Sequence, residues 1–580
     1  MREMRKKSRE SAPVRHISQN GPRGKAWLFF SVLAASLIVG FILYSPSMSG
    51  PFLFDDAGLP FAKATLHDRP LSDWVSGVRP VLMFSYWVNH SLWGENPVSY
   101  HAFNVLIHAL NATLVFLALS RLLALSGWTE RIAQTAAAGA LVFLIHPLQT
   151  ESVSYIAGRS ESLAAFFMLL AYVVFLYRRK ESISWIECLV VLALFALAVK
   201  TKENAVSLAG ILFLTDVFWP APFSTRGLRQ NWRLYALMIP GGMAAAAMVF
   251  RVLITSRSAG FSLRNVTWYQ YGFTQARAIF VYIRMALFPM GLSIDHDYAV
   301  SRTVFEHGAI FWLVLLAGLL TACFRLRRKY PLACFGFLFF LMALAPTSSI
   351  VPIADPLVER RMYLPLLGLI LIGCEVSRRV RLTAPVAWSA AALAVAALSG
   401  WCYARNQQFG NPETLFVEAA SQSTHNPRPY AHLAHTLYEE NRCADEIPYL
   451  ERADSLFPRS YEIQMEWGGA MECLGNKEEA ARRLRLAAQI NPRSDAWEML
   501  GLVYGEMNKP DESGAALRMA VQVKPDSPSA HRSLAIWYEA TADYDAAERE
   551  YSISLDLDGR DRAASVGLLR VRQLRAKKPQ

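Results

Sequence analysis

Residues 497–504 read W-E-M-L-G-L-V-Y, and this order of large and small side chains decides the fold of the C-terminal part of the chain. The pattern returns about every 34 residues, which is the length of a two-helix repeat. It continues with Leu517, Ala520 and Pro525. One period earlier stand Trp467, Gly468, Ala480, Leu484, Ala487 and Pro492, two periods earlier Leu433, Ala434, Leu450, Ala453 and Pro458, and one period later Leu534, Ala535, Tyr538, Ala547 and Tyr551.

The spacing W-x2-L-G-x2-Y is that of tetratricopeptide repeats. We therefore predict an α-solenoid of about four to five repeats over residues 403–580. Its leading helix lies within residues 411–427 and ends at Pro427. Stacked repeats leave a concave groove that usually binds a peptide or a protein partner, while the repeated small and aromatic residues form the core.

Residues 26–401 hold a series of apolar runs that contain few charges. Such runs are typical of membrane-spanning helices, and the chain as a whole is 53% hydrophobic. The net charge of +12 fits a membrane better than nucleic acid, because basic clusters such as Arg178-Arg179-Lys180 follow the ends of the runs. The sequence predicts an all-α polytopic membrane domain followed by the solenoid, with membrane lipids and no nucleic acid as partners.

The runs predict about eleven spans between residues 27 and 402. They lie at about 27–45, 101–120, 132–148, 162–177, 184–199, 205–219, 233–254, 309–324, 332–346, 363–377 and 385–401. Residues 1–26 form a basic cytoplasmic tail, residues 46–100 the first outer loop, and the repeats lie outside. Residues 271–292 carry Arg277 and Arg284 on one face, which indicates an interfacial or re-entrant helix; as a further span they would move the repeats to the cytoplasm.

The seven cysteines include no CxxC pair and no cluster with histidine, so their spacing does not predict a metal site. Cys443 lies near the turn of one repeat, and Cys473 lies near the end of the first helix of the next. The two side chains could therefore be neighbours. Outside the cytoplasm a disulfide is permitted, and two separate buried thiols are the alternative.

Charged residues of the membrane part gather at the predicted outer ends of the spans. Charges there are costly unless they are paired or line a wet cavity. Directly after the first span stands F-L-F-D-D, residues 52–56. Its two carboxylates, Asp55 and Asp56, suit a general base with a supporting acid or metal ligand, and a polar helix cap is the alternative. Together the charges predict one polar cavity at the outer leaflet.

Further polar motifs adjoin the runs. The loop continues to Arg79-Pro80, and the second span carries His101, Asn104, His108 and Asn111 on one face. Such a stripe usually faces the interior of a helix bundle. H-P-L-Q-T-E-S-V-S-Y-I-A-G-R-S-E-S-L follows at 146–163, K-T-K-E-N at 200–204 and V-E-R-R-M-Y-L-P at 358–365.

In this order the motifs resemble those of the transmembrane and tetratricopeptide-repeat O-mannosyltransferases, a family of the GT-C class of glycosyltransferases. The resemblance covers about residues 27–580 and suggests a bacterial-type relative. It is carried by an acidic pair, an Arg-Pro, a YHxxNxxxH span, an HPxxTExVxxIxGRxxxL stretch, a Lys-Glu pair and an ERxxYLP stretch. The matching positions proposed for the site are Asp55, Asp56, Arg79, His101, His108, His146, Glu151, Arg159, Lys202, Glu203 and Arg360, with Arg361 beside them.

The resemblance implies transfer of a mannose-like sugar from a polyprenyl-phosphate donor to a protein or glycan hydroxyl at the outer face, with inversion at the anomeric carbon. A carboxylate, with Asp55 favoured over Asp56, would accept the proton of the hydroxyl. Arg360 would contact the phosphate, with Arg159, Lys202 or Arg361 as helpers. No cofactor is certain, and a divalent cation is possible. The expected location is a bacterial inner membrane with the repeats on the periplasmic side.

Two other functions compete with this interpretation. A non-catalytic scaffold would recruit envelope-assembly partners through its repeats, and its membrane motifs would then be structural. A flippase or transporter would place charges near the middle of the bilayer and show internal symmetry among the spans. The sequence shows neither feature, because the acidic residues stand at span ends.

Overall fold

The computed structural model describes residues 22–62, 70–178, 182–219, 222–255, 260, 266–381 and 383–577. Helices dominate, and none of these residues belongs to an extended strand. The first helix begins at Pro22, within the predicted basic tail, while residues 1–21 and Arg179 and Lys180 lie outside the described ranges. The predicted all-α architecture is confirmed.

Sixteen α-helices of the described residues precede the repeats. They are α1 (Pro22–Tyr44), α2 (Leu71–Trp74), α3 (Pro80–Trp93), α4 (Pro97–Leu125), α5 (Ile132–Ile145), α6 (Thr150–Ser154), α7 (Arg159–Arg178), α8 (Trp185–Thr201), α9 (Ser207–Phe218), α10 (Arg226–Gln230), α11 (Trp232–Thr255), α12 (Trp268–Leu287), α13 (Ala309–Leu326), α14 (Pro331–Leu344), α15 (Leu366–Arg379) and α16 (Ala384–Phe409).

Each predicted span coincides with one of these helices. By length and composition, five helical stretches of the described residues can cross a membrane: Ala26–Leu43, Pro97–Leu125, Ile156–Arg178, Glu306–Leu326 and Ala384–Phe409. A sixth is obtained if α5 and the segment Pro147–Ser154, bent by 56° against it, count as one span. The other runs form shorter or more polar helices, so about eleven spans remain a prediction, as does the side of the repeats.

Small residues allow the helices to approach closely where the membrane domain is tightest. A Cβ atom added to Gly336 of α14 would lie 2.5 Å from the carbonyl oxygen of Gly368 in α15. A Cβ atom added to Gly368 would lie equally close to the carbonyl oxygen of Gly336. Crossings of this kind are common where helices pack without a hydrophobic driving force between them.

The repeats form helical pairs behind a leading helix. Their helices are α17 (Pro412–Ser421), α18 (Arg428–Glu439), α19 (Cys443–Leu456), α20 (Tyr461–Cys473), α21 (Lys477–Ile490), α22 (Ser494–Glu506), α23 (Pro510–Val523), α24 (Pro528–Ala540), α25 (Tyr544–Leu557) and α26 (Arg562–Lys577). The leading helix therefore ends at Ser421, before the predicted Pro427. Four pairs, α18–α19 to α24–α25, confirm the solenoid.

The 34-residue frame also identifies the core of the repeats correctly. Ala434, Ala453 and Leu484 are completely buried, and so is Ala520, which occupies the position of Ala453 two repeats later. The glycine of the pattern is needed because the two helices of a pair touch there. A Cβ atom on Gly501 would lie 2.6 Å from Cγ of Leu517 in the partner helix.

Cys443 and Cys473 form a disulfide that joins α19 to α20. The bridge therefore connects one repeat to the next. Of the two alternatives that the sequence left open, the structure shows the bridge and not the separate thiols.

Candidate active site

The acidic pair lies in a short 3-10 turn, Phe54–Gly58, just beyond the first span. Asp56 is completely buried and ties this turn to its neighbour, accepting hydrogen bonds from the amides of Leu53 at 2.9 Å and Ala157 at 2.8 Å. Burial raises the pKa of Asp56 to about 7, although the two amide donors oppose this shift. Asp56 therefore supports the turn from within.

Asp55 is held differently. Its backbone amide donates to the hydroxyl of Tyr155 at 2.9 Å, while its side chain is exposed. No described residue forms an ion pair with the Asp55 carboxylate. Asp56 and Tyr155 thus anchor the turn, and the Asp55 carboxylate is left exposed on its surface.

Two cavities meet at this carboxylate. The larger has a volume of about 820 Å³ and lies between ends of the helices of the membrane domain. The smaller, of about 350 Å³, lies between the membrane domain and the start of the repeats. Four residues line both cavities: Asp55, Tyr155, Asp355 and Arg360.

The larger cavity combines an apolar wall with paired charges. Apolar side chains such as Met83, Val351 and Ile353 line one part of it. Arg79 donates to both carboxylate oxygens of Glu203, through Nε at 3.0 Å and Nη2 at 2.8 Å. Such two-point pairing fixes the orientation of the guanidinium as well as its position.

The second pair in the larger cavity joins Lys202 to Glu161. The Lys202 ammonium group lies 2.6 Å from Glu161 and also donates to the hydroxyl of Ser160 at 3.1 Å. Asn204 donates to the other oxygen of the same carboxylate at 3.0 Å. Lys202 and Glu203 both line the larger cavity, and their predicted roles in binding stay predictions.

Arg360 and Arg361 differ in how their charges are balanced. Arg360 is paired with the buried Glu151, through its side chain at 2.5 Å and its backbone amide at 2.8 Å. Arg361 donates to the carbonyl oxygens of Asp355 at 2.6 Å and Pro356 at 3.1 Å, and it has no carboxylate partner among the described residues. Among the described charged residues that line the larger cavity, Arg361 and Asp55 are the ones without an oppositely charged partner.

Ion pairs between the two domains line the smaller cavity. Arg428, at the start of α18, lies 2.6 Å from Asp295 and 2.7 Å from Asp355 of the membrane domain. His432 of the same helix completes the lining. Sequence reasoning missed Arg428 and His432, because neither occupies a position of the repeat pattern.

Several predicted site residues lie outside both cavities. Arg159 is completely buried; its Nε donates to Asn104 at 2.7 Å, and its guanidinium stacks 4.5 Å from the ring of Tyr86. Glu151 lines neither cavity and reaches the site only through Arg360. The prediction that Arg159 helps to bind the donor therefore needs correction, because no face of this side chain is accessible.

The three predicted site histidines line neither the larger nor the smaller cavity, and each contacts a distant segment of the chain. His101 donates to the carbonyl of Gly50 at 3.1 Å, and His146 donates to that of Ala286 at 3.0 Å. His108 contacts the hydroxyl of Tyr363 at 2.8 Å and the carbonyl of Leu144 at 3.0 Å. Their predicted contact with donor or acceptor is replaced by contacts that hold distant segments together.

Metal binding receives no support from the arrangement of ligands. Within the described ranges, no group of three or more His, Cys, Asp or Glu side chains could hold a metal ion. Asp56, the predicted metal ligand of the acidic pair, already accepts two backbone amides. The divalent cation considered from the sequence stays a prediction.

The fold and site define an integral membrane protein with a charged cavity beneath a tetratricopeptide-repeat domain. No family model matches the chain. It is 22% identical over 583 residues to human "Protein O-mannosyl-transferase TMTC3", covering 86% of this chain and 61% of that protein. It is 29% identical over 307 residues to Drosophila melanogaster "Protein O-mannosyl-transferase Tmtc1", covering 47% and 35%. The predicted resemblance to the transmembrane and tetratricopeptide-repeat O-mannosyltransferases is confirmed.

The solved structures of MamA and YrrB are each similar to part of this chain. The crystal structure of MamA is 23% identical with a TM-score of 0.24, covering 26% of this chain and 87% of that one. YrrB, described as a TPR protein with an unusual peptide-binding site, is 16% identical with a TM-score of 0.25, covering 28% and 84%.

Proposed function

We propose that this protein is a membrane glycosyltransferase of the GT-C class that moves a mannose from a polyprenyl-phosphate donor to a protein hydroxyl at the outer face of the membrane. The observation that carries the proposal is the position of Asp55, whose unpaired carboxylate lies where the two cavities meet. The names of the similar proteins support the type of transfer.

The larger cavity suits the donor. Its apolar wall accommodates the start of a lipid chain, and its cations accommodate a phosphate. Arg361 is nearly buried and donates to Tyr271, Pro356 and Asp355, but no described carboxylate neutralises its charge, which therefore acts on a phosphate in the cavity, with Arg360 beside it. We therefore assign the principal phosphate contact to Arg361 and a helping role to Arg360, which Glu151 already neutralises.

The smaller cavity suits the acceptor, because it opens toward the repeats. The hydroxyl oxygen attacks the anomeric carbon while Asp55 accepts its proton. The new carbon–oxygen bond replaces the bond from the anomeric carbon to the phosphate oxygen, and polyprenyl phosphate leaves with that electron pair. The cations of the larger cavity stabilise the charge that develops on the leaving phosphate.

An outer location of the repeats is part of the proposal. The disulfide between Cys443 and Cys473 supports it, because disulfides persist in oxidising compartments and are rare in the cytosol. A reporter fused after Lys577 tests it: activity of a periplasm-specific reporter is expected. Activity of a cytoplasm-specific reporter there would contradict the outer site.

The transfer is tested with the purified full chain, a polyprenyl-phosphate mannose donor and a threonine-containing peptide. Asp55→Asn preserves size but cannot accept the proton, so its rate should fall by about 10²–10⁴-fold. Asp526→Asn, an exposed change in the repeats, is the matched control and should transfer at the wild-type rate. Equal rates for Asp55→Asn and wild type would reject the mechanism and favour a scaffold.

The donor contact has its own test. Arg361→Gln removes a charge–phosphate contact, so transfer at limiting donor should fall by about 10–100-fold. Arg360→Gln should have the smaller effect if Glu151 already balances its charge. Normal use of limiting donor by both variants would reject the assignment of the larger cavity to the phosphate.

A further inference from the structure

A third cavity, of about 540 Å³, lies on the inner side of the first repeats. The outer loop of the membrane domain forms one wall through residues 51–54, and α17, α18 and α20 form the other. Phe54, Arg428 and His432 line both this cavity and the smaller cavity described above. The two cavities therefore adjoin at these three residues, and we call the route that they mark out from the repeats to Asp55 the path.

The part of the path next to Asp55 is aromatic and rigid. Phe54 packs edge-on against His432 at 4.3 Å and against Phe416 at 5.0 Å between ring centroids. His432 also stacks on Phe416. Burial lowers the pKa of His432 to about 4, so the imidazole is neutral at pH 7. These rings and the neighbouring prolines form a preformed apolar floor.

The far part of the path is acidic. Glu439, Glu462 and Glu466 line it, and no described Lys or Arg pairs with any of them. The imidazole of His435 lies 3.2 Å from Glu466 and 3.5 Å from Glu439, and Glu462 accepts a hydrogen bond from Ser460 at 3.0 Å. Elsewhere in the repeats, carboxylates such as Glu479 and Glu548 are paired with arginines.

A second observation behind this wall is a buried carboxyl group. Glu446 is completely buried, and neither of its side-chain oxygens has a hydrogen-bond partner among the described residues. It lies close enough to Glu466 and His435 for its charge state to depend on theirs. The wall thus carries excess acidic groups in a protein whose net charge is +12.

We propose that this groove holds an extended segment of the acceptor polypeptide and selects a lysine or arginine on one side of the hydroxyl-bearing residue. The inference rests on the proposed function, because it assigns the acceptor of the same site. The aromatic floor contacts the backbone and apolar side chains near the hydroxyl, and the carboxylates attract the basic side chain. Charge complementarity of this kind gives specificity more than affinity.

The experiment measures binding and transfer separately with the full chain in detergent. The probes are fluorescein-labelled peptides with a central threonine among alanines, in which one lysine is moved through the flanking positions on either side. The reference peptide has glutamine in its place. We expect the best lysine peptide to bind roughly three- to tenfold more tightly than the reference at low salt, and the preference to fall as salt rises.

The acidic wall is tested with the double variant Glu462→Gln and Glu466→Gln, which should lose the preference for lysine. The matched control combines Glu451→Gln and Glu478→Gln, two exposed changes elsewhere on the repeats, and should keep it. Equal binding of both peptides by the wild type, or a preference that survives in the double variant, would overturn the inference.

Failure of the proposed function would look different. If the wild type prefers lysine peptides but transfers no sugar to any of them, the assignment of the groove to a basic peptide is retained and the proposed transfer reaction is rejected. If the wild type glycosylates both peptides equally and binds them equally, the proposed transfer reaction is retained and the selection of a basic residue is rejected. Asp55→Asn should lose transfer and keep the binding preference.

Discussion

The membrane domain and the repeats use charge in opposite ways. In the membrane domain, ion pairs such as Arg360 with Glu151 are largely buried and join residues 209 positions apart. In the repeats, many pairs have an exposed arginine, as in the pair of Arg482 with Glu479 on one helix and that of Arg572 with Glu548 between two helices. Buried pairs are costly to form and costlier to break, whereas exposed pairs contribute little. The difference indicates that charge organises the site in one region and mainly solvates the surface in the other.

Glu151→Gln should have the largest effect on stability. It leaves the Arg360 guanidinium without its counter-ion in a largely enclosed position, which typically costs about 3–5 kcal/mol. Thermal unfolding in detergent, followed by tryptophan fluorescence, measures the change. Glu548→Gln is the control from the repeats, because Glu548 pairs with exposed arginines, and it should lower the melting temperature far less. Similar losses for both variants would break the comparison.

Removal of the disulfide should have the next largest effect, and it concerns the repeats. Cys443→Ser combined with Cys473→Ser frees a loop whose ends are 30 residues apart, at a cost of about 2–4 kcal/mol. The wild type should lose the same stability when reductant is added, and the double variant should be insensitive to reductant. A wild type that does not respond to reductant under denaturing conditions would show that the bridge does not form.

Asp56→Asn sharpens the distinction between the two neighbouring acids. Asp56 accepts hydrogen bonds from two buried backbone amides, and in Asp56→Asn one of these amides loses its acceptor. This loss should lower the free energy of unfolding by about 1–3 kcal/mol. Asp55→Asn changes an exposed carboxylate and should leave the melting temperature unchanged while it lowers the rate of transfer by about 10²–10⁴-fold. Loss of stability in Asp55→Asn, or none in Asp56→Asn, would contradict the division of roles between them.

Glu446→Gln should act in the opposite direction from the preceding changes and stabilise the repeats. Burial raises the pKa of Glu446 to about 8, so the folded state binds this proton more tightly than the unfolded chain. The wild type should therefore lose stability as the pH rises from about 4.5 to 8, and Glu446→Gln should lose this dependence. At pH 8 the variant should melt at least about 2–4 °C higher, the shift that 1 kcal/mol produces in a domain of this size.

The exposed Glu451 of the same helix provides the control for this pH dependence. Glu451→Gln should keep the wild-type dependence of melting temperature on pH. A Glu446→Gln variant that is still as sensitive to pH as the wild type would show that another group is responsible.

The sequence by itself determined the fold class and the repeat frame. Helical repeats bury residues that recur at a fixed spacing, so Ala453 and Leu484 could be placed in the core from their positions alone. The apolar runs located the membrane helices for the same reason, since composition decides which segments leave water. The position of Asp55 next to the first span was also visible in the sequence.

Only the tertiary structure decided which charged residues share a cavity. Arg159 and Arg361 both follow conspicuous motifs, yet the first is enclosed by Tyr86 and Asn104 and the second lines the larger cavity. Asp55 and Asp56 are adjacent in the chain, but only Asp56 meets two backbone amides. Likewise, Arg428 reaches the site only because the repeats dock on the loops that carry Asp295 and Asp355. Such differences depend on contacts between distant segments, and spacing along the chain does not encode them.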